Sequence, residues 1–110
     1  MATKRDLAIR LLRKLEVVGA GQVASDADVE IAEEKLNGVH AFLLANDKLH
    51  WTWADLPIFA EEPYAMMGAY LAAPEFGKQP DPALWLGGLA FLNRSNAAPA
   101  SEAPASGEYF

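Results

Sequence analysis

The chain has 110 residues, a net charge of −6, 52% hydrophobic and 22% charged residues, and no cysteine. This composition excludes global disorder, a disulfide framework and thiolate chemistry. The length fits one domain, able to bury about 60–65% of its unfolded surface. The longest uncharged runs, 63–74 and 82–93, hold 12 residues each, and a membrane-spanning helix needs ~20. The opening residues are charged and do not read as a secretory signal.

In chain order, Thr3 and Asp6 have the spacing of a capping box, with Asp in place of the usual Glu. The first predicted helix runs to about residue 17. Leu7, Leu11 and Leu15 form one stripe, with Ala8 and Leu12 beside it and Arg10, Arg13 and Lys14 on the other side. Five basic residues stand against Asp6 between 4 and 14, so the rest of the chain carries a charge of −10. Opposite patches at different places on one surface favour head-to-tail contacts, which close into rings or open into filaments. Gly19 and Gly21 break the helix, and Ser25 is a cap for the next one, predicted over 26–45. There Val29, Ala32, Leu36, Val39 and Leu43 recur at spacings of three and four, the pattern of a packing seam. Glu30, Glu33 and Glu34 lie away from that seam, and no base sits four residues after any of them.

The segment at about 46–60 alternates Leu49, Trp51 and Trp53 with polar residues, the period of an extended loop or hairpin. Trp51 and Trp53 can fold back as a lid over the core or stand out as an aromatic knob at an interface. Residues 63–77, PYAMMGAYLAAPEFG, read as a buried helix with Pro63 at its first position. Met66, Met67, Tyr70 and Leu71 follow at helical spacing, Pro74 ends the helix near residue 73, and Gly77 supplies freedom to leave the corner. Small residues on its remaining faces invite neighbours on nearly every side, so the rest of the chain is expected to wrap it. Asp81 and Pro82 then open a last helix to about residue 94, where the pair Gly87–Gly88 marks either a close helix crossing or a kink. From residue 95 on, Ala, Pro, Ser and Gly dominate without periodicity, ending in Tyr109 and Phe110.

The helix ending in LAAPEFG, following a basic opening helix written TKRDLAIRLLRKL, resembles the small head-to-tail adaptor (connector, packaged-DNA-stabilisation) proteins of tailed bacteriophages. The similarity spans residues 3–94 and rests on structural motifs. It implies an all-α fold of four main helices over 1–95, with a projecting loop at 46–60 and an extended C-terminal arm at 96–110. It further implies a virion protein, assembled in the host cytoplasm, that forms a ring of twelve copies beneath the portal at the head–tail junction. Such a ring extends the channel, retains packaged DNA without binding it specifically, and offers a platform to further tail or connector proteins. On that resemblance the arm, with Pro99, Pro104, Tyr109 and Phe110, grips the portal. Trp51 and Trp53 meet a neighbour or the next tail component. Helix 1, through Arg10, Arg13 and Lys14, joins Glu30, Glu33 and Glu34 of the next copy.

No catalytic, cofactor or metal site is expected. The only histidines are His40 and His50, no paired ligands occur at metal spacing, and GAGQVA lacks the third glycine of a phosphate loop. Two other classes remain open: a small helical regulator contacting DNA through the basic helix, and an acidic glycan hydrolase using carboxylates among Glu33, Glu61 and Glu62.

Overall fold

The computed structural model describes residues 3–19, 21–46, 48–49 and 51–101, with 95–101 described by their backbone. Four helices make an all-α bundle: α1 (Lys4–Lys14), α2 (Asp26–Ala45), α3 (Ile58–Ala72) and α4 (Pro82–Ser101). No strand occurs among the described residues.

The expected caps are in place. Thr3 Oγ1 accepts from the Asp6 amide at 3.1 Å while Asp6 Oδ2 accepts from the Thr3 amide at 2.9 Å, closing the capping box of α1. Ser25 Oγ accepts from the Asp28 amide at 3.1 Å, and Asp81 Oδ1 from that of Ala83 at 3.0 Å.

Helix α1 stops three residues earlier than its apolar pattern suggests. The Glu16 amide donates to the Arg13 carbonyl at 3.0 Å and the Val17 amide to the Leu12 carbonyl at 3.0 Å, the paired bonds of a Schellman ending. Such an ending needs a left-handed residue, and Glu16 fills that place at φ 61°, where a side chain costs about 1–2 kcal/mol. Glu16→Gly is therefore expected to raise stability by about 0.5–1 kcal/mol after glycine's own entropy is counted. A higher urea midpoint at unchanged slope would show it; an unchanged or lower midpoint would contradict it. Gly77, at φ 71°, plays the same part after a 3-10 turn, Ala73–Phe76, that follows α3.

Helix α3 is the axis, packing against α1, α2 and α4. It begins at Ile58, so Pro63 is an interior residue rather than the first. Its ring withholds the bond that the Phe59 carbonyl would otherwise accept, yet the extra turn buries Ala60 and lines Glu61 and Glu62 up with α1. Around this axis the core comprises Leu7, Ala8, Leu11 and Leu12 of α1, the whole predicted seam of α2, and Leu92 of α4.

Two glycines set the closest approaches. A Cβ on Gly68 would lie 2.6 Å from Leu11 Cδ1 and 3.0 Å from Leu36 Cδ2, so α1, α2 and α3 meet there. A Cβ on Gly88 would lie 2.8 Å from Met67 Cγ and 3.1 Å from the Pro63 carbonyl oxygen. The pair Gly87–Gly88 is thus where α4 crosses α3.

Two expectations about the extremities are corrected. Residues 96–101 continue α4 instead of starting an extended arm, so the boundary expected at 95 falls within the helix; Ala97, Ala98 and Ala100 have the highest helix propensity available. The described residues of the segment before α3 do not project. They contain a 3-10 turn, Trp53–Asp55, and Leu49, Trp51 and Trp53 pack against the core.

Candidate functional site

The segment leading into α3 is held down by one phenol. Tyr64 is fully buried, and its hydroxyl lies 2.8 Å from His40 Nδ1 of α2 and 3.2 Å from Trp51 Nε1. An indole N–H can only donate, so Tyr64 Oη accepts from Trp51. The phenol's own proton is then best placed toward His40 Nδ1, which fixes a neutral imidazole protonated on Nε2. Trp53 stacks on His40 at 5.3 Å between ring centroids and meets Tyr64 edge-on at 5.4 Å. Trp51 meets Phe59 edge-on at 5.6 Å. The Lys4 ammonium sits 4.8 Å from the centre of the Trp53 ring, tying the start of α1 to the same cluster.

Burial pushes the Tyr64 hydroxyl up to about 12, against the opposing effect of the Trp51 hydrogen bond. Burial also holds the His40 imidazole below its ordinary value, and the nearby Lys4 charge adds to that. Trp51 and Trp53 therefore form the lid, not the knob. The reason is that an indole N–H and a buried phenol satisfy each other here, which solvent-exposed rings would not.

The charged faces are also rearranged relative to expectation. Arg10 reaches Glu61 at 3.5 Å and Glu62 at 3.5 Å, and Lys14 pairs with Glu62, so two of the three bases expected at a neighbour already have partners in their own chain. Arg5 lies 3.6 Å from Asp26. Arg13 is exposed and has no ion pair among the described residues. These pairs lower the charge that α1 could offer to DNA phosphates. They also commit Glu61 and Glu62 to α1, whereas Glu33 lies on a different helix. By contrast, Glu30, Glu33 and Glu34 line one shallow groove with Ile31 and Asn37, and none of the three acids is ion-paired among the described residues.

Helix α4 also leaves apolar side chains in solvent. Trp85 is anchored by Phe42 at 4.9 Å and Tyr70 at 5.8 Å. Leu86, however, is 63% exposed and Phe91 40%, on a helix without a charge from 82 to 93. Of the arm residues, Pro99 lies in the α4 backbone, and Pro104, Tyr109 and Phe110 lie outside the described residues. Among the described residues no group of three or more His, Asp or Glu could hold a metal ion, and no helix is long and apolar enough to cross a membrane.

Tyr64 was not foreseen as the hub. The available signal was His40 beside the α2 seam, a polar ring placed where it needs a buried partner. The pairing of Arg10 and Lys14 with acids some 50 residues later has no local signature at all.

Comparison of the chain with protein-family models, curated proteins and solved structures finds no match.

Proposed function

We propose that this chain is a structural subunit: a head-to-tail adaptor that assembles as a ring beneath the portal of a tailed bacteriophage, extends the DNA channel, retains packaged DNA and receives the tail. The resemblance over residues 3–94 supports the reading, and its two signature segments are α1 and the end of α3 with its 3-10 turn. What carries it is the apolar surface left on α4: the stretch 82–93 has no charge, and both Leu86 and Phe91 remain in solvent. Burying those side chains against another protein would be favourable. The unpaired acids Glu30, Glu33 and Glu34 fit a channel wall, where they repel the phosphate backbone and let DNA slide. Since Arg10 and Lys14 are neutralised within the chain, copies meet through α4 and Arg13 rather than through the whole basic face of α1. The copy number of twelve follows from the resemblance.

The portal contact is assigned to residues 102–110. In a sucrose gradient, the full chain is expected to co-migrate with a portal ring purified from the same virus. A chain ending at Ser101 is expected to stay at the top, with its helical circular dichroism unchanged. Equal co-migration of both chains would overturn the role of the tail, and failure of the full chain to move would overturn the adaptor reading.

A further inference from the structure

We infer that the groove between the end of α2 and the start of α3 receives Phe91 and Arg94 of a second copy of this chain, joining copies head to tail. The inference deepens the reading of the chain as an assembling subunit and rests on it for the presence of other copies.

The groove is lined by Leu44, Leu49, Trp51, Thr52, Asp55 and Pro57. Leu44 on its wall is 60% exposed, and Ile58, next after Pro57, is 80% exposed. Trp51 does not have to be ordered by an incoming group, because Tyr64 and Phe59 already fix its ring. Among the described residues Asp55 is the only charged one lining the groove, and it has no cationic partner there. The groove therefore calls for an apolar or aromatic group accompanied by one positive charge.

One exposed pair on the same molecule has that composition. The Arg94 guanidinium lies over the Phe91 ring, 6.0 Å from its centre, and both residues are exposed. Arg94 makes no salt bridge among the described residues. Phe91 against Leu44 and Trp51, with Arg94 on Asp55, gives each surface the group it lacks, and the charge pair would fix the register of the apolar contact. The two surfaces are different patches of one chain, so the contact is heterologous and repeats from copy to copy.

The charges disfavour the other occupants. The chain's own end, 102–110, carries Glu102 and Glu108 and no base, so it meets Asp55 with the wrong sign. A nucleic acid backbone meets it with the wrong sign as well.

Sedimentation of the full chain over a concentration series tests the contact. The wild type is expected to self-associate. Asp55→Arg and Arg94→Glu are each expected to weaken association about ten-fold, and the double variant to restore most of it. All three substituted positions, Asp55, Phe91 and Arg94, are solvent-facing, and circular dichroism reports whether each variant remains folded. Phe91→Ala is expected to weaken association without touching either charge. A wild type that stays monomeric throughout, single variants that associate as it does, or a double variant no better than the singles would each overturn the inference. So would a gain in association on removing residues 102–110, which would make the tail the occupant. The adaptor reading is separable: if both single variants load onto a portal ring as well as the wild type, this contact is wrong and the adaptor reading stands. If the charge swap restores association but no portal ring binds, the contact stands and the adaptor reading fails.

Discussion

Replacing Tyr64 by phenylalanine is expected to lower stability by about 1–3 kcal/mol, although it removes a single oxygen. The loss comes from what the oxygen serves. It accepts from Trp51 and faces His40 Nδ1, and a benzene ring leaves both groups without that partner. In a domain of this size each kcal/mol corresponds to about 4–8 °C in the melting temperature.

The same substitution changes the acid response. In the native protein the His40 imidazole titrates below its ordinary value of about 6.5, because burial and then Lys4 disfavour its charged form. The unfolded chain therefore takes up the proton first as pH falls. Stability that is fully present above about pH 6.5 is lost as pH drops through the lower native value. Protonation also turns Nδ1 from acceptor to donor, which strands the Tyr64 proton. Urea midpoints measured stepwise from neutral to acidic pH are expected to fall in the wild type and to fall less in Tyr64→Phe, where the phenol no longer favours neutral imidazole. Parallel curves would show that the His40–Tyr64 bond does not couple to folding. At alkaline pH the sign reverses: Tyr64 keeps its proton to about 12 in the native chain, so the unfolded state gains as pH rises from the ordinary phenol range toward that value.

The second large effect belongs to Gly88. Valine there is expected to cost about 3 kcal/mol, because its first carbon would already lie 3.1 Å from the backbone oxygen of Pro63 and 2.8 Å from Met67 Cγ. A backbone oxygen in the middle of α3 cannot step aside, so α4 must lift. Gly87 offers the contrast. A Cβ there meets only the Met66 Cε atom, at 3.2 Å, the mobile end of a flexible side chain. Gly87→Ala is expected to be neutral or stabilising by up to about 1 kcal/mol through helix propensity. Equal losses at the two positions in chemical unfolding would mean that the crossing is looser than described.

The parts of the fold that could be read in the sequence are those governed by residues close together in the chain. Thr3, Ser25 and Asp81 cap helices because a hydroxyl or carboxylate reaches an amide two or three residues on. The α2 seam was legible from spacing alone. The end of α1 was not, because a glutamate occupies the left-handed position that glycine would have advertised. The start of α3 was displaced by Pro63, which fits a first helical position so well that a buried interior proline is the less obvious choice.

The tryptophans illustrate the larger gap. Their alternation suggested an extended loop, where the structure has a 3-10 turn from Trp53, and whether such rings face in or out depends on a phenol at residue 64 and an imidazole at residue 40. Charge behaves likewise: the basic stripe of α1 was visible, and its acids on α3 became partners only through the bundle. On helix α4 the uncharged run 82–93 was visible in the sequence, but which of its apolar residues stay in solvent, Leu86 and Phe91, depends on the packing.

Native mass spectrometry of the full chain, alone over a concentration series and then with a portal ring, tests the central claim most directly. The account predicts association of the free chain with increasing concentration and a single closed ring of defined copy number on the portal. A chain that remains a monomer at every concentration and leaves the portal mass unchanged would contradict it.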